Sequence, residues 1–117
     1  MTFHRLPDHL GRMLEAAQQA LSYVEGYEKP DFMEDRRTQQ AVVLNLILIG
    51  EESTKILATY PDFAHAHTEI PWRSMKGMRN RIAHGYFEID LEMVWETIQS
   101  ALPRLIEQLP AVRRTLD

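Results

Sequence analysis

Near the start of the chain, apolar residues recur at steps of three and four positions. This spacing places them on one stripe of an amphipathic helix. Pro7 suits the first turn of such a helix, and Gly26 suits its exit. We therefore predict a first helix over residues 6–26, whose stripe consists of Leu6, Leu10, Met13, Leu14, Ala17, Leu21 and Val24.

A second segment, residues 34–60, is almost continuously apolar over its middle part, residues 41–49. Its β-branched residues would suit a buried strand, but no turn signal interrupts the segment before Pro61, and strands rarely exceed about ten residues. We therefore predict a long second helix, preceded by a turn around residues 29–31. A helix that is apolar on nearly all sides needs cover on nearly all sides, so we also predict that it forms a subunit interface. Asn45 would fix the register of this helix or the dimer contact.

The third predicted helix is short and covers residues 71–84. A polar loop pattern over residues 61–69 precedes it, and Pro71 suits its first turn. Gly85 follows the helix, as expected for a left-handed residue at a helix end.

The fourth predicted helix covers residues 90–109, with Asp90 as its cap. Pro103 should kink this helix or force a local adjustment, and the tail from Pro110 should be frayed. The stripe consists of Leu91, Val94, Trp95, Ile98, Leu102, Leu105, Ile106 and Leu109. Four helices without a second strand candidate predict an all-α, up-and-down four-helix bundle.

The composition is that of a single ordinary globular domain. Of the 117 residues, 44% are apolar and 26% are charged. The absence of cysteine excludes a disulfide framework, a thiolate metal site and a cysteine nucleophile. Because neither a membrane span nor a signal-peptide apolar region is recognisable, we expect residues 1–117 to form one cytoplasmic domain. The net charge of -4 argues against general coating of nucleic acid but allows a small basic site.

Residues 70–87 form such a basic segment, with four cations, one histidine, one tyrosine and no acidic residue. On a helix, Asn80 and His84 share a face, whereas Arg79 and His84 diverge by about 140°. A long arginine side chain can still bend, and we predict that Arg79 lies beside His84. Carbonyl groups at a helix C-terminus favour a protonated imidazole, and an imidazolium beside a guanidinium is a phosphate-binding pair.

The same pair could carry out chemistry on RNA. Cleavage through the 2′-hydroxyl needs only proton transfers and stabilisation of a charged phosphorane, without a metal or another cofactor. One histidine cannot easily serve as both base and acid, but a symmetric dimer would supply two. We therefore predict a composite dimer site in which Arg79 stabilises phosphate charge, His84 transfers protons, and Asn80 positions the substrate or His84. On spacing alone, the same three residues could instead cap the helix and bind neighbouring backbone groups.

Taken in order along the chain, these residues resemble the HepT-like toxins of the HEPN superfamily. The resemblance rests on Arg79-Asn80 followed after three residues by His84-Gly85-Tyr86, with Ile49-Gly50-Glu51, Pro71-Trp72, Lys76-Gly77-Met78, Ile89-Asp90 and Val94-Trp95. It implies a four-helix HEPN domain that dimerises through the long second helix and the active-site face. It also implies a metal-independent endoribonuclease toxin of a type VII-like toxin-antitoxin pair, with a minimal nucleotidyltransferase as its antitoxin. In that family the antitoxin transfers AMP from ATP to the tyrosine two residues after the histidine, which is Tyr86 here.

Several of these residues have other interpretations. Glu52 stands where a small residue is common in relatives, and its effect is open. Glu51 is predicted to pair with an arginine of the third helix and could orient the site arginine. Tyr86 could instead be a buried aromatic with a hydrogen-bonded hydroxyl. Trp72 and Trp95 are predicted to anchor the core rather than to stack on bases.

The remaining cations and histidines of this region are less specific. Arg73, Lys76 and Arg81 could extend an RNA-binding surface, form a solvated face, or dock an acidic partner. His65 and His67 lack a matching third ligand, so we predict that they are exposed rather than bound to a metal.

A rival function uses the same pocket without catalysis. In this reading the chain is a nucleotide-binding or adaptor subunit that regulates a partner nucleotidyltransferase. A structural helical dimer with a vestigial site is a third possibility. RNA turnover in the absence of the partner would fit only the enzyme.

Overall fold

The structure is a computed structural model that describes residues 5–116, so residues 1–4 and 117 of the predicted domain lie outside the described residues. All regular secondary structure in this range is helical. The longer helices are α1 (Leu6–Tyr23), α3 (Arg36–Thr59), α5 (Trp72–His84) and α7 (Leu102–Arg114). The shorter ones are α2 (Lys29–Glu34), α4 (Pro61–Ala66) and α6 (Leu91–Glu96).

Helix α3 is the centre of the bundle. It packs against α1 on one side and against α5 on another, and α1 in turn packs against α7. The fully buried side chains come from several of the helices and from the loop before α5, and the largest are Phe32, Leu10, Met13, Ile49, Ile56, Ile70, Ile98 and Leu109. The predicted all-α bundle is confirmed. None of the helices between residues 5 and 116 combines the length and the apolar character that crossing a bilayer requires.

Two connections that we predicted as a turn and a loop contain short helices. In α2, Pro30 occupies the first turn, the backbone N–H of Glu28 donates to Asp31 Oδ2 at 2.9 Å, and Phe32 is fully buried. In α4, Pro61 opens the helix and Ala64 is buried. In each case one buried side chain anchors a proline-initiated turn to the core, which the polar local sequence did not reveal.

The ends of two helices also differ from the prediction. Helix α1 stops at Tyr23, and Gly26 follows in a turn with a left-handed φ of 76°. The predicted left-handed conformation of Gly85 is wrong, because its φ is -148°. Its N–H donates to the Arg81 carbonyl at 3.2 Å, and a 3₁₀ turn, Tyr86–Glu88, follows at once.

Proline shapes the last helical segment as the sequence suggested, but does not end it where we predicted. Residues Thr97–Ala101 form a π turn between α6 and α7 that ends two residues before Pro103, which has no N–H and crowds the preceding turn. The predicted fraying from Pro110 onward is wrong, because α7 continues to Arg114. Val112 is buried and holds this last part of the helix in the core.

Candidate functional site

Helices α3 and α5 cross closely at Gly50. A Cβ atom at this position would lie 2.2 Å from Arg79 Cβ and 2.7 Å from the carbonyl oxygen of Met75. Both distances are far below a normal van der Waals contact, so the crossing requires glycine. The crossing sets the Arg79 side chain directly against the backbone of α3.

The crossing places Arg79 beside Glu51, the next residue of α3. Arg79 Nη2 donates to Glu51 Oε1 at 3.1 Å, and Arg79 Nη1 donates to Asn80 Oδ1 at 2.9 Å. The predicted pairing of Glu51 with an arginine of the third helix is therefore present. These two hydrogen bonds fix the guanidinium in place. The Arg79 side chain is still 35% exposed, so part of it faces solvent. Such an oriented, always charged group is suited to binding a phosphate.

His84 is the last residue of α5 and is exposed. It lies one turn beyond Asn80 on the same face, about 6 Å along the helix axis at 1.5 Å per residue. Within residues 5–116, no hydrogen bond or ion pair joins the His84 side chain to Arg79 or Asn80. The structure thus brings Arg79, Asn80 and Glu51 together and leaves the His84 imidazole free to meet a ligand from solvent.

Tyr86 and Phe87 lie just beyond His84, in the 3₁₀ turn. Tyr86 is 42% exposed and Phe87 is 99% exposed, and their rings meet edge to face with centroids 5.6 Å apart. The alternative that Tyr86 is a buried aromatic is therefore wrong. A small cavity of about 170 Å³ separates this turn from the first half of α3, with Arg36 and Gln40 among its lining residues.

Glu52, whose effect the sequence left open, points away from this site. It is buried between α3 and α1, where Oε2 lies 2.5 Å from His9 Nδ1. Arg12 and Lys55 lie within 3.6 and 3.8 Å of its other oxygen. Successive helical residues differ by about 100° in direction, so Glu51 faces α5 while Glu52 faces α1. Glu52 therefore ties two core helices together. The sequence did hold a signal for this buried contact, namely the polar His9 between the apolar stripe positions Leu6 and Leu10, but our prediction did not include it.

The two tryptophans anchor the core, as predicted. Trp72 is buried at the start of α5, where Nε1 donates to the carbonyl oxygens of Ala64 and His67 at 3.1 and 3.0 Å. Trp95 packs against Phe32 with ring centroids 5.4 Å apart.

The other polar residues that the sequence singled out lie apart from the Arg79 network. Asn45 is buried, and its amide donates to the Ala41 carbonyl of its own helix at 2.9 Å. Arg73 and Lys76 are exposed at the start of α5. Exposed Arg81 approaches the sulfur of Met93 at 3.9 Å.

The two histidines of the α4 region differ in exposure. His65 is exposed, as predicted. His67 is only partly exposed, because it packs on Phe63 with ring centroids 4.5 Å apart.

Relatives of this chain carry ribonuclease names. A probable ribonuclease HepT from Thermococcus cleftensis is 35% identical over 105 residues, which cover 86% of this chain and 93% of that protein. A candidate RNase from Caldanaerobacter subterraneus subsp. tengcongensis is 31% identical over 104 residues, covering 89% and 90% of the two chains. A candidate RNase from Methanocaldococcus jannaschii is 27% identical over 105 residues, covering 90% and 84%. No solved structure matches the chain significantly.

The family model described as ribonuclease HepT-like matches residues 13–112. This span includes Gly50, Glu51 and all of α5, so it contains the whole Arg79 network and His84. The resemblance predicted from the sequence is confirmed. This chain belongs to the HepT-like ribonuclease family of the HEPN superfamily.

Proposed function

We propose that the chain is a metal-independent endoribonuclease and the toxin of a toxin-antitoxin pair, acting on RNA in the cytoplasm. The observation that carries the proposal is the Arg79 guanidinium, which Glu51 and Asn80 hold in one orientation one turn from the exposed imidazole of His84. Family membership supports the same activity.

The proposed mechanism uses only groups that this chain carries. The 2′-oxygen of a ribose attacks the adjacent phosphorus while one histidine accepts the 2′-hydroxyl proton. The bond from phosphorus to the 5′-oxygen breaks, and the protonated imidazole of His84 from a second copy of the chain donates a proton to that leaving oxygen. Arg79 stabilises the extra negative charge of the phosphorane, and Asn80 positions the phosphate or His84. The products are a 2′,3′-cyclic phosphate and a 5′-hydroxyl.

The need for both a proton acceptor and a proton donor supports a composite site in a symmetric dimer. Helix α3 presents two leucines to solvent, Leu44 and Leu48, which are 55% and 46% exposed. They are one turn apart on one face of the helix predicted to form the interface. Leu48→Glu should therefore give a monomer in sedimentation analysis and lose cleavage. A dimer that persists in this variant would place the interface elsewhere.

We also propose that Tyr86 accepts AMP from a cognate minimal nucleotidyltransferase antitoxin. Its hydroxyl would attack the α-phosphate of ATP and release pyrophosphate. The exposure of the ring and its place two residues after His84 support this role. The added phosphodiester and adenosine would then compete with RNA for Arg79 and His84.

The test is cleavage of a mixed RNA pool in EDTA by protein shown by mass to be unmodified. Wild type should turn over RNA, His84→Ala should not, and Tyr86→Phe should cleave while resisting transfer of AMP. His84 is exposed, so its loss should leave the free energy of unfolding nearly unchanged. No turnover by wild type would sink the ribonuclease and favour a nucleotide-binding subunit that regulates its partner enzyme.

A further inference from the structure

We propose that an RNA strand bound at the candidate site follows the exposed face of α5 into a cleft. This cleft holds the part of the strand that is distant from the bond to be cut. This inference rests on the proposed ribonuclease activity. It adds where the rest of the substrate lies and which residues hold it.

Four polar residues form a continuous stripe along α5, namely Arg73, Lys76, Asn80 and His84. They are separated by three, four and four positions, which confines them to an arc of about 80° on the helix surface. All four are exposed. From Arg73 to His84 the stripe is about 17 Å long, at 1.5 Å per residue.

The far end of the stripe opens into a cleft with a volume of about 540 Å³. The cleft lies between the end of α3, α4 and the start of α5, and its volume is in the range of small-ligand sites. Its polar lining consists of Thr54, His65, Thr68, Arg73, Ser74 and Lys76. None of the lining residues is acidic, although the whole chain has 17 acidic residues and a net charge of -4.

In the part of the chain that the structure describes, the two cations of the cleft form no ion pair with an acidic residue. The described ion pairs involve Arg12, Lys29, Lys55 and Arg79 among the lysines and arginines, but neither Arg73 nor Lys76. Hydroxyl groups and an apolar floor that includes Leu57 and Ile70 complete the lining. Cations bind the phosphates of a single strand, and an adjacent apolar surface contacts its bases.

The length of the stripe sets how much RNA should reach the cleft. Stacked nucleotides advance about 3.4 Å each, so about five nucleotides separate a phosphate at His84 from one at Arg73, and fewer do so when the strand is extended. A dinucleotide bound at His84 cannot reach the cleft, whereas an oligonucleotide of about ten residues can.

The experiment compares Arg73→Gln/Lys76→Gln with a control that loses the same charge, Arg104→Gln/Arg114→Gln. All four positions are exposed, and the control pair lies on α7, which packs against α1. Binding is measured with a 2′-O-methylated RNA of about ten nucleotides, which cannot be cleaved, over a range of salt concentrations. The slope of log K against log salt should be shallower by about 1.4 in the first variant, about 0.7 per lost phosphate contact, and close to wild type in the control. In cleavage, the first variant should lose kcat/KM on the oligonucleotide and keep it on a dinucleotide.

Equal slopes for the two variants would overturn the proposal and would indicate that this face serves a protein partner or solvent. Failure of wild type to bind the RNA would overturn it as well. If wild type binds through Arg73 and Lys76 but does not cleave, the surface stands and the ribonuclease activity fails. The two proposals are thus separately testable.

Discussion

Replacing Gly50 with alanine tests whether the close crossing of α3 and α5 builds the candidate site. The new methyl group would lie 2.2 Å from Arg79 Cβ and 2.7 Å from the Met75 carbonyl oxygen. Unbonded carbon atoms normally sit about 3.5–4.0 Å apart, so the two helices must separate locally by more than about 1 Å. The hydrogen bond from Arg79 to Glu51, at 3.1 Å, lies at this crossing and should break when they do.

Two opposing effects set the size of the change in stability. Overpacking a core costs about 1–3 kcal/mol. The upper end applies here because the Met75 carbonyl is backbone and cannot rotate away. The higher helix propensity of alanine offsets about 1 kcal/mol of this overpacking cost. We therefore expect Gly50→Ala to lower the free energy of unfolding by about 2 kcal/mol. RNA cleavage should fall far more than the population of folded protein does.

Urea unfolding followed by circular dichroism measures the first effect, and cleavage at a temperature where the variant is folded measures the second. Gly77→Ala on α5 is the matched control, because the nearest atom to its Cβ would be Arg81 Nη1 at 3.5 Å, an ordinary contact. It should be as stable as wild type or more so. If Gly50→Ala proves equally stable and active, the helices separate without penalty and the reasoning is refuted.

Two neighbouring carboxylates should behave in opposite ways. Glu52→Gln should lower the free energy of unfolding by about 3 kcal/mol, since it removes a buried carboxylate from its contacts with His9, Arg12 and Lys55, and should spare cleavage in the folded fraction. Glu51→Gln, whose side chain is 42% exposed, should change stability by less than about 1 kcal/mol and should reduce cleavage, because it releases Arg79. Urea unfolding and cleavage of both variants check this, and the reverse pattern would contradict it. Asp35 provides a pH-dependent prediction, because hydrogen bonds from Tyr27 and Thr38 lower its pKa from 3.8 to about 2. Because the pKa of Asp35 is lower in the folded chain than in the unfolded chain, its ionised carboxylate stabilises the fold at pH values above the unfolded pKa. This stabilisation is lost as the pH falls through the folded pKa. Thermal unfolding should therefore show Asp35→Asn less stable than wild type near neutral pH, with the gap closing between about pH 4 and pH 2; a gap of constant size would exclude this account.

Local pattern determined much of the fold. The stripe of α1 and the length of α3 follow from the spacing of apolar residues along single segments, and both helices lie close to their predicted bounds. The π turn before Pro103 has the same kind of origin, since a proline changes the backbone of its own helix. The placement of Asn80 and His84 on one face could also be predicted, because helix geometry alone fixes it.

Most contacts between segments could not be derived in this way, although the pairing of Glu51 with an arginine of the third helix was predicted. The sequence named Gly50 only as part of a family motif, and its role in packing depends on α5, which crosses it. The effect of Glu52 was left open, because its partner His9 lies on a different helix, α1. The sequence by itself determined which residues share a helix face and which family they resemble. Only the tertiary structure decided how closely α3 and α5 cross at Gly50 and that Tyr86 is exposed, because these outcomes depend on which helix faces meet. Periodicity belongs to one segment, whereas the orientation of a long side chain depends on the acceptor that another segment brings within reach.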